Sequence, residues 1–325
     1  MKVRITLVLA ALALTAMAPA SAFSPGEIRK ILLHGPWPPP LRADPGNRVS
    51  GKPAAIELGE RLFFEPRLSG TGSVLCASCH VPFRGFQDAR PRAFGLEQVE
   101  RNTPSLLNVR FNRRFGWDGA RDSLWAQSIR PLLEPREMRA TPAHVAAVVR
   151  KNYSSEYAAV FGRSAASDEE ILVDVGKALA AFQETLVTSR TPFDDFRDAL
   201  ERGDDAAGAG YPLAAQRGLR IFVGKGNCSA CHSGPQFTSG GVADSGVRFR
   251  VPGLRNVART APYMHDGSLA SLREVLRFHS ELNESEVEDL VAFLESLTDP
   301  QAVAAKRQRS RGEFHTPLRV SIVKE

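Results

Sequence analysis

The sequence predicts a mainly α-helical protein built from two domains of one kind. Three observations predict it. Two copies of the pentapeptide C-x-x-C-H, Cys76-Ala77-Ser78-Cys79-His80 and Cys228-Ser229-Ala230-Cys231-His232, stand 152 residues apart and use all four cysteines of the chain. Apolar residues recur at helical spacing through most of the sequence, whereas strand-like alternation is scarce. The 325 residues, 43% apolar and 24% charged, suffice for two separate cores and exclude a collagen, a coiled coil, a multi-span membrane protein and a disordered chain.

The chain opens with Lys2 and Arg4, an apolar run from Ile5 to Leu14 and the small-x-small triplet Ala20-Ser21-Ala22, the pattern of a secretory signal peptide over 1–22. That run is shorter than the roughly 20 residues a spanning helix needs, and no later segment approaches this length. The mature chain is therefore expected to be periplasmic and free of the membrane. Its formal net charge of +6, two of which lie in the signal segment, is modest and gives no reason to expect a nucleic-acid partner.

The first domain is expected over 23–203. Its beginning, with Pro38, Pro39 and Pro40, reads as extended rather than packed. An amphipathic approach from Ile56 to Phe64 leads to the first motif, and helices are expected near 122–133, 142–151, 168–187 and 192–201. Residues 203–212 hold four Gly or Pro and the acids Asp204 and Asp205, the composition of a linker. The second domain, 204–300, repeats the order: an approach from Gln216 to Phe222, the second motif, then helices near 271–279 and 284–297. In each half a turn with Gly and Ser or Asn precedes the first cysteine, and a phenylalanine follows the histidine, Phe83 or Phe237. Each half thus reads as a short-helix cytochrome unit. The tail, 301–325, carries four basic residues between Lys306 and Arg311 and reads as solvated.

C-x-x-C-H is the attachment site of c-type haem. Two thiols add to the porphyrin vinyl groups, and the adjacent histidine gives its imidazole to the iron. Two copies in an exported chain with no other cysteine favour this over a disulfide framework, a thioredoxin-like thiol pair or a zinc site. The expected cofactors are therefore two covalently bound haems, held by Cys76, Cys79 and His80 and by Cys228, Cys231 and His232.

The second axial face separates electron transfer from catalysis. No histidine occurs from Val81 to Ala143, and the mature chain has no methionine before Met138. The first iron is thus expected to keep an open face, where peroxide can bind. For the second iron the candidates are Met264, His265 and His279. Ser271-Leu272-Arg273-Glu274 reads as a capping box, and Leu272, Val275, Leu276 and His279 follow at i, i+3, i+4 and i+7, which puts His279 on the buried stripe. Met264 and His265 lie in a Pro-containing loop whose direction is not legible, so Met264 stays open as the alternative ligand.

Further segments carry a resemblance. Leu62-Phe63-Phe64, Arg101-Asn102-Thr103-Pro104-Ser105-Leu106, Trp117-Asp118-Gly119, Leu254-Arg255-Asn256-Val257 and Thr260-Ala261-Pro262-Tyr263-Met264-His265-Asp266-Gly267, in this order around the two haem motifs, resemble the bacterial di-haem cytochrome c peroxidases, and among them the MauG-like branch. The resemblance covers nearly the whole mature chain and implies two cytochrome c-like domains, the first peroxidatic. It gives Trp117 the role of an electron relay between the haems. It gives Gln127, Pro131 and Glu137 the peroxide pocket, with Glu137 moving the proton during O–O cleavage. It also implies a calcium ion between the domains on Asn102, Thr260 and the Pro262 carbonyl, a set of oxygen donors suited to that hard cation.

The departures from the family pattern are informative. The family's methionine on the second haem, a tyrosine in MauG, corresponds to His279 here. Imidazole in place of thioether should lower that haem's potential. The absence of a loop histidine that could cap the first haem suggests a site needing no reductive activation. The resemblance then implies a periplasmic oxidoreductase that uses hydrogen peroxide to oxidise an aromatic residue of a partner protein through a high-valent state shared by both haems. The alternative is a peroxidase that reduces peroxide to water with electrons from a small redox protein.

Overall fold

The computed structural model describes residues 23–162, 167–204, 208–244 and 248–300, so the expectations for 1–22 and 301–325 fall outside the described residues. The described part is mainly helical. Its one sheet there is an antiparallel hairpin of β1 (Val242–Asp244) and β2 (Arg248–Arg250), with Val242 opposite Arg250. No helix among these residues is long and apolar enough to cross a membrane.

The first core packs α2 (Pro53–Phe63), α4 (Leu124–Leu133), α5 (Pro142–Asn152), α6 (Ser154–Phe161) and α7 (Asp168–Gln183) around Leu62, Phe63, Leu132, Val145 and Leu179. The turn α3 (Cys76–Cys79) carries the first motif. The second core packs α9 (Leu213–Val223), α10 (Leu272–His279) and α11 (Glu284–Ser296) around Leu219, Phe222, Phe237 and Phe293. One close crossing fixes each core. A Cβ on Gly59 of α2 would lie 1.9 Å from the Ala178 carbonyl oxygen of α7, and one on Gly218 of α9 would lie 2.0 Å from that of Asp289 on α11. Only glycine allows the backbones to meet so closely, and the two motifs hang from equivalent helix pairs.

The helices start where the chain can cap them. Proline stands at the first turn of α2, α5 and α8 (Pro192–Arg202), where a missing N–H costs nothing. Ser167, Ser271 and Asn283 accept the free amides that open α7, α10 and α11. The helix expected over 168–187 ends at Gln183, because the residues beyond it pair elsewhere. The Asn108 amide donates to the Leu186 carbonyl at 2.7 Å, and the Asn108 side chain accepts from the Thr188 amide at 2.9 Å.

The N-terminal stretch is packed, not extended as its prolines suggested. Ser24 and Glu27 close a capping box on α1 (Pro25–Leu32), whose Ile31 is fully buried. Trp37 is buried as well, its indole N–H donating to the Thr188 carbonyl at 3.0 Å while the Arg255 guanidinium sits 3.8 Å from its ring centre. Prolines exclude a helix there, but the apolar side chains beside them still seek a core. They find the second one: Phe23 and Ile31, with Phe193 and Phe196 of α8, pack against Phe222 and Phe237. The two cores therefore do not divide the chain at 203/204, since both ends of the first segment fold onto the second core.

Candidate active site

Each C-x-x-C-H motif is a single helical turn that aims its histidine the same way. The His80 amide donates to the Cys76 carbonyl and the His232 amide to that of Cys228, both at 2.9 Å. His80 Nδ1 lies 2.9 Å from the Phe86 carbonyl oxygen, and His232 Nδ1 lies 3.1 Å from that of Phe237. A carbonyl can only accept, so Nδ1 carries the proton and Nε2 presents its lone pair, the tautomer a metal-bound histidine needs. Burial keeps both imidazoles below their usual pKa and hence neutral. Phe86 and Phe237 share left-handed φ values of 57° and 55°. Phe86 is thus the true counterpart of Phe237, whereas Phe83, paired with it in the sequence reading, is 54% exposed. Burial also pushes the Cys76 thiol up to about 12 and the Cys79 thiol to about 11. Redox thiols of the thioredoxin kind require the opposite shift.

A cavity of about 430 Å³ opens beside the first motif. Its wall contains Cys76, Cys79 and His80 together with Asn102, Trp117, Gln127, Pro131 and Glu137, so the fold assembles every residue expected there. Gln127 and Pro131 lie one turn apart on α4, and Glu137 stands in the turn that follows. Arg130 Nη1 donates to Glu137 Oε1 at 2.8 Å, but burial outweighs that cation and raises the carboxyl above its ordinary range. Gln127 Oε1 is buried without a hydrogen-bond donor. The Trp117 indole N–H donates to the Asn102 carbonyl at 2.8 Å, and the Trp117 carbonyl accepts from the Arg250 amide at 2.8 Å. Met138, buried in the first core, also reaches the wall.

The apolar lining of Phe63, Leu106, Val109, Leu124 and Leu179, the neutral His80 imidazole and the orphaned amide oxygen fit a haem tethered by the two cysteines. At the second motif the donor chemistry fits too. His279 lies within electrostatic reach of His232 and adds to the lowering that burial causes there. His279 Nδ1 lies 2.9 Å from the Val275 carbonyl oxygen, which again leaves Nε2 bare. Its environment differs from the expectation: Leu272 and Leu276 are buried, but His279 is exposed. It is the last residue of α10, where the apolar stripe runs past the end of the core. Ser271 caps that helix as expected, while Glu274 accepts from the Ala270 amide at 2.7 Å rather than from that of Ser271. Met264, the other candidate, occupies a turn at φ 73°.

The two halves superimpose in sequence without a gap from Pro104 to Pro131 and from Pro252 to His279. Asn108 and Asn256 both take φ 62°, and their side chains accept from the amides of Thr188 and Asp299. Phe115 bridges Arg121 as Tyr263 bridges Leu269. Trp117 corresponds to His265, Gly116 to Met264 and Ser123 to Ser271. Pro131 corresponds to His279.

The calcium candidates lie in segments that touch, the Asn102 amide donating to the His265 carbonyl at 2.9 Å. The Asn102 side-chain nitrogen donates to the Arg90 carbonyl at 2.7 Å, which leaves its Oδ1 for another partner. Thr260 Oγ1 donates to the Val257 carbonyl at 3.1 Å. Sequence reasoning missed Arg250, which lines the first cavity from the second half of the chain. Its position, two residues before Pro252 in the repeat, was the available signal.

Two helical cores, each presenting a cysteine pair and an imidazole, with a cavity beside the first motif, have the features of a c-type haem protein. Comparison with known proteins agrees. The profile of the di-haem cytochrome c peroxidase family matches residues 53–202. The methylamine utilization protein MauG of Methylorubrum extorquens is 39% identical over 77% of this chain and 80% of its own length. A cytochrome c551 peroxidase of Nitrosomonas europaea is 34% identical over 75% and 80%. The crystal structure of a MauG-like protein associated with microbial copper homeostasis superposes with a TM-score of 0.68, at 28% identity, over 84% of this chain and 98% of that one. The chain belongs to the di-haem cytochrome c peroxidase family and is an oxidoreductase of the di-haem peroxidase class.

Proposed function

We propose that each half carries one covalently attached haem and that the chain acts in the periplasm as a MauG-like oxidoreductase. Hydrogen peroxide is reduced in the first cavity, and the oxidising equivalents reach an aromatic residue, tryptophan or tyrosine, of a partner protein. The observation that carries this reading is the asymmetry of Pro131 and His279. Proline has no donor atom for a metal, whereas His279 holds its Nδ1 against the Val275 carbonyl and lies within electrostatic reach of His232.

When bound, the haems supply the iron that accepts peroxide and the two electrons that reduce it. The chain supplies the proton path. Glu137, raised by burial, takes the proton from one peroxide oxygen and returns it to the other, so that the O–O bond breaks with release of water. Gln127 Oε1, lacking any other donor, accepts from the peroxide hydroxyl and orients it. Trp117, fixed at its indole N–H and its carbonyl, relays electrons between the halves. Asn102 Oδ1, Thr260 and the Pro262 carbonyl would hold calcium where the halves meet.

The relative that is a cytochrome c551 peroxidase favours the second reading, in which a small cytochrome or copper protein feeds electrons for the reduction of peroxide to water. One experiment separates the two. Holo-protein mixed with one equivalent of peroxide, without donor, should change the spectra of both haems, and Trp117→Phe should slow the change at the second. Rapid steady-state turnover with a small redox donor, far above the rate with any protein substrate, would reject the first reading in favour of the second.

A further inference from the structure

Arg250 has no task in the chemistry above, yet its charge is unusually placed. It sits on β2 in the second half and lines the cavity of the first. Its Nε is buried without an acceptor. Burial lowers its pKa, and no acid among the described side chains pairs with it. Arg255 shows what this chain does with a buried guanidinium of structural purpose: it is clamped in a two-pronged pair by Asp194, both side chains being 1% exposed. The other arginines of the cavity wall are served or solvated. Arg130 and Arg136 pair with Glu137 and Glu100, Arg101 reaches His265, and Arg121 is exposed.

A guanidinium on a half-buried side chain whose Nε is enclosed without an acceptor is unfavourable, and its planar fork suits a carboxylate. The haem that Cys76 and Cys79 tether brings two carboxylates of its own, its propionates, at the edge away from the vinyl groups. We propose that Arg250 clamps a propionate of the first haem, as a positioning residue that the second half contributes to the first. Because the Arg250 amide also donates to the Trp117 carbonyl, one residue would tie the haem edge to the relay tryptophan.

The proposal rests on the first motif carrying its haem, which the pyridine haemochrome of each preparation checks independently; a wild-type preparation with one haem would defeat that premise itself. In resonance Raman spectra of the two-haem protein, Arg250→Gln should shift one propionate bending band to lower frequency and lower the midpoint potential of the first haem, whereas Arg250→Lys should keep both nearer the wild type. Coincident bands and potentials in wild type and R250Q, with both haems present, would overturn the clamp. Loss of the first haem from R250Q alone, with retention in R250K, would support the need for charge. Loss from both would overturn the proposal in favour of a merely structural role.

Discussion

Pro131 stands in the first half of the chain where His279 stands in the second. Each is the ninth residue of the stretch beginning at the N-cap serine, Ser123 or Ser271, and each follows the same W/H-D-G turn by an equal count. One duplicated scaffold thus presents a metal-binding side chain at one site and a side chain with no donor atom at the other. On the function proposed above, the difference between a closed electron-transfer centre and an open reactive one lies in that single position.

Restoring the ligand should close the open site. In Pro131→His the first haem is expected to turn low-spin, and peroxide should react about tenfold more slowly or worse, since it must first displace a tethered imidazole. Optical and EPR spectra with stopped-flow kinetics check both effects. An unchanged spectrum would mean that residue 131 does not face the iron.

The haem motifs were legible from local spacing and most helices from their periodicity, while the cavity residues from Trp117 to Glu137 came from the family resemblance. What was not legible depends on contacts between distant segments. The packing of α1 and Trp37 onto the second core could not be read through prolines that signal only the absence of a helix. Phe86 was hidden behind Phe83, the first phenylalanine after the histidine, which lacks the left-handed backbone of Phe237. Arg250 was invisible because its role depends on a cavity formed by the other half. His279 was expected on the buried stripe and is exposed, because a helical stripe does not say where the core ends.

Glu137 sets a pH dependence. Its carboxyl is raised by burial, so as pH falls through that raised pKa the base form is lost and the peroxide reaction should slow. Glu137→Gln is expected to reduce the second-order rate with peroxide by about 10²- to 10⁴-fold and to remove the acid limb of the profile. Stopped-flow measurement across pH tests this, and an acid limb that survives in E137Q would assign it to another group.

The glycine crossings should resist substitution. A methyl at Gly59 or Gly218 meets a backbone carbonyl at 1.9 or 2.0 Å and cannot be accommodated without separating the helices. Gly59→Ala and Gly218→Ala should each cost about 3 kcal/mol, the upper range for overpacked cores. Chemical denaturation of the holo-protein measures it. A loss below about 0.5 kcal/mol, the ordinary size of a surface substitution, would show that the crossing yields.

The most direct test of the account is low-temperature EPR of the resting ferric holo-protein, wild type beside His279→Ala. The account predicts one high-spin signal from the first haem and one low-spin signal from a haem with two nitrogen ligands, the latter lost in H279A. A wild-type spectrum with both haems low-spin, for example through Met138 on the first, or a low-spin signal that survives in H279A, would contradict it.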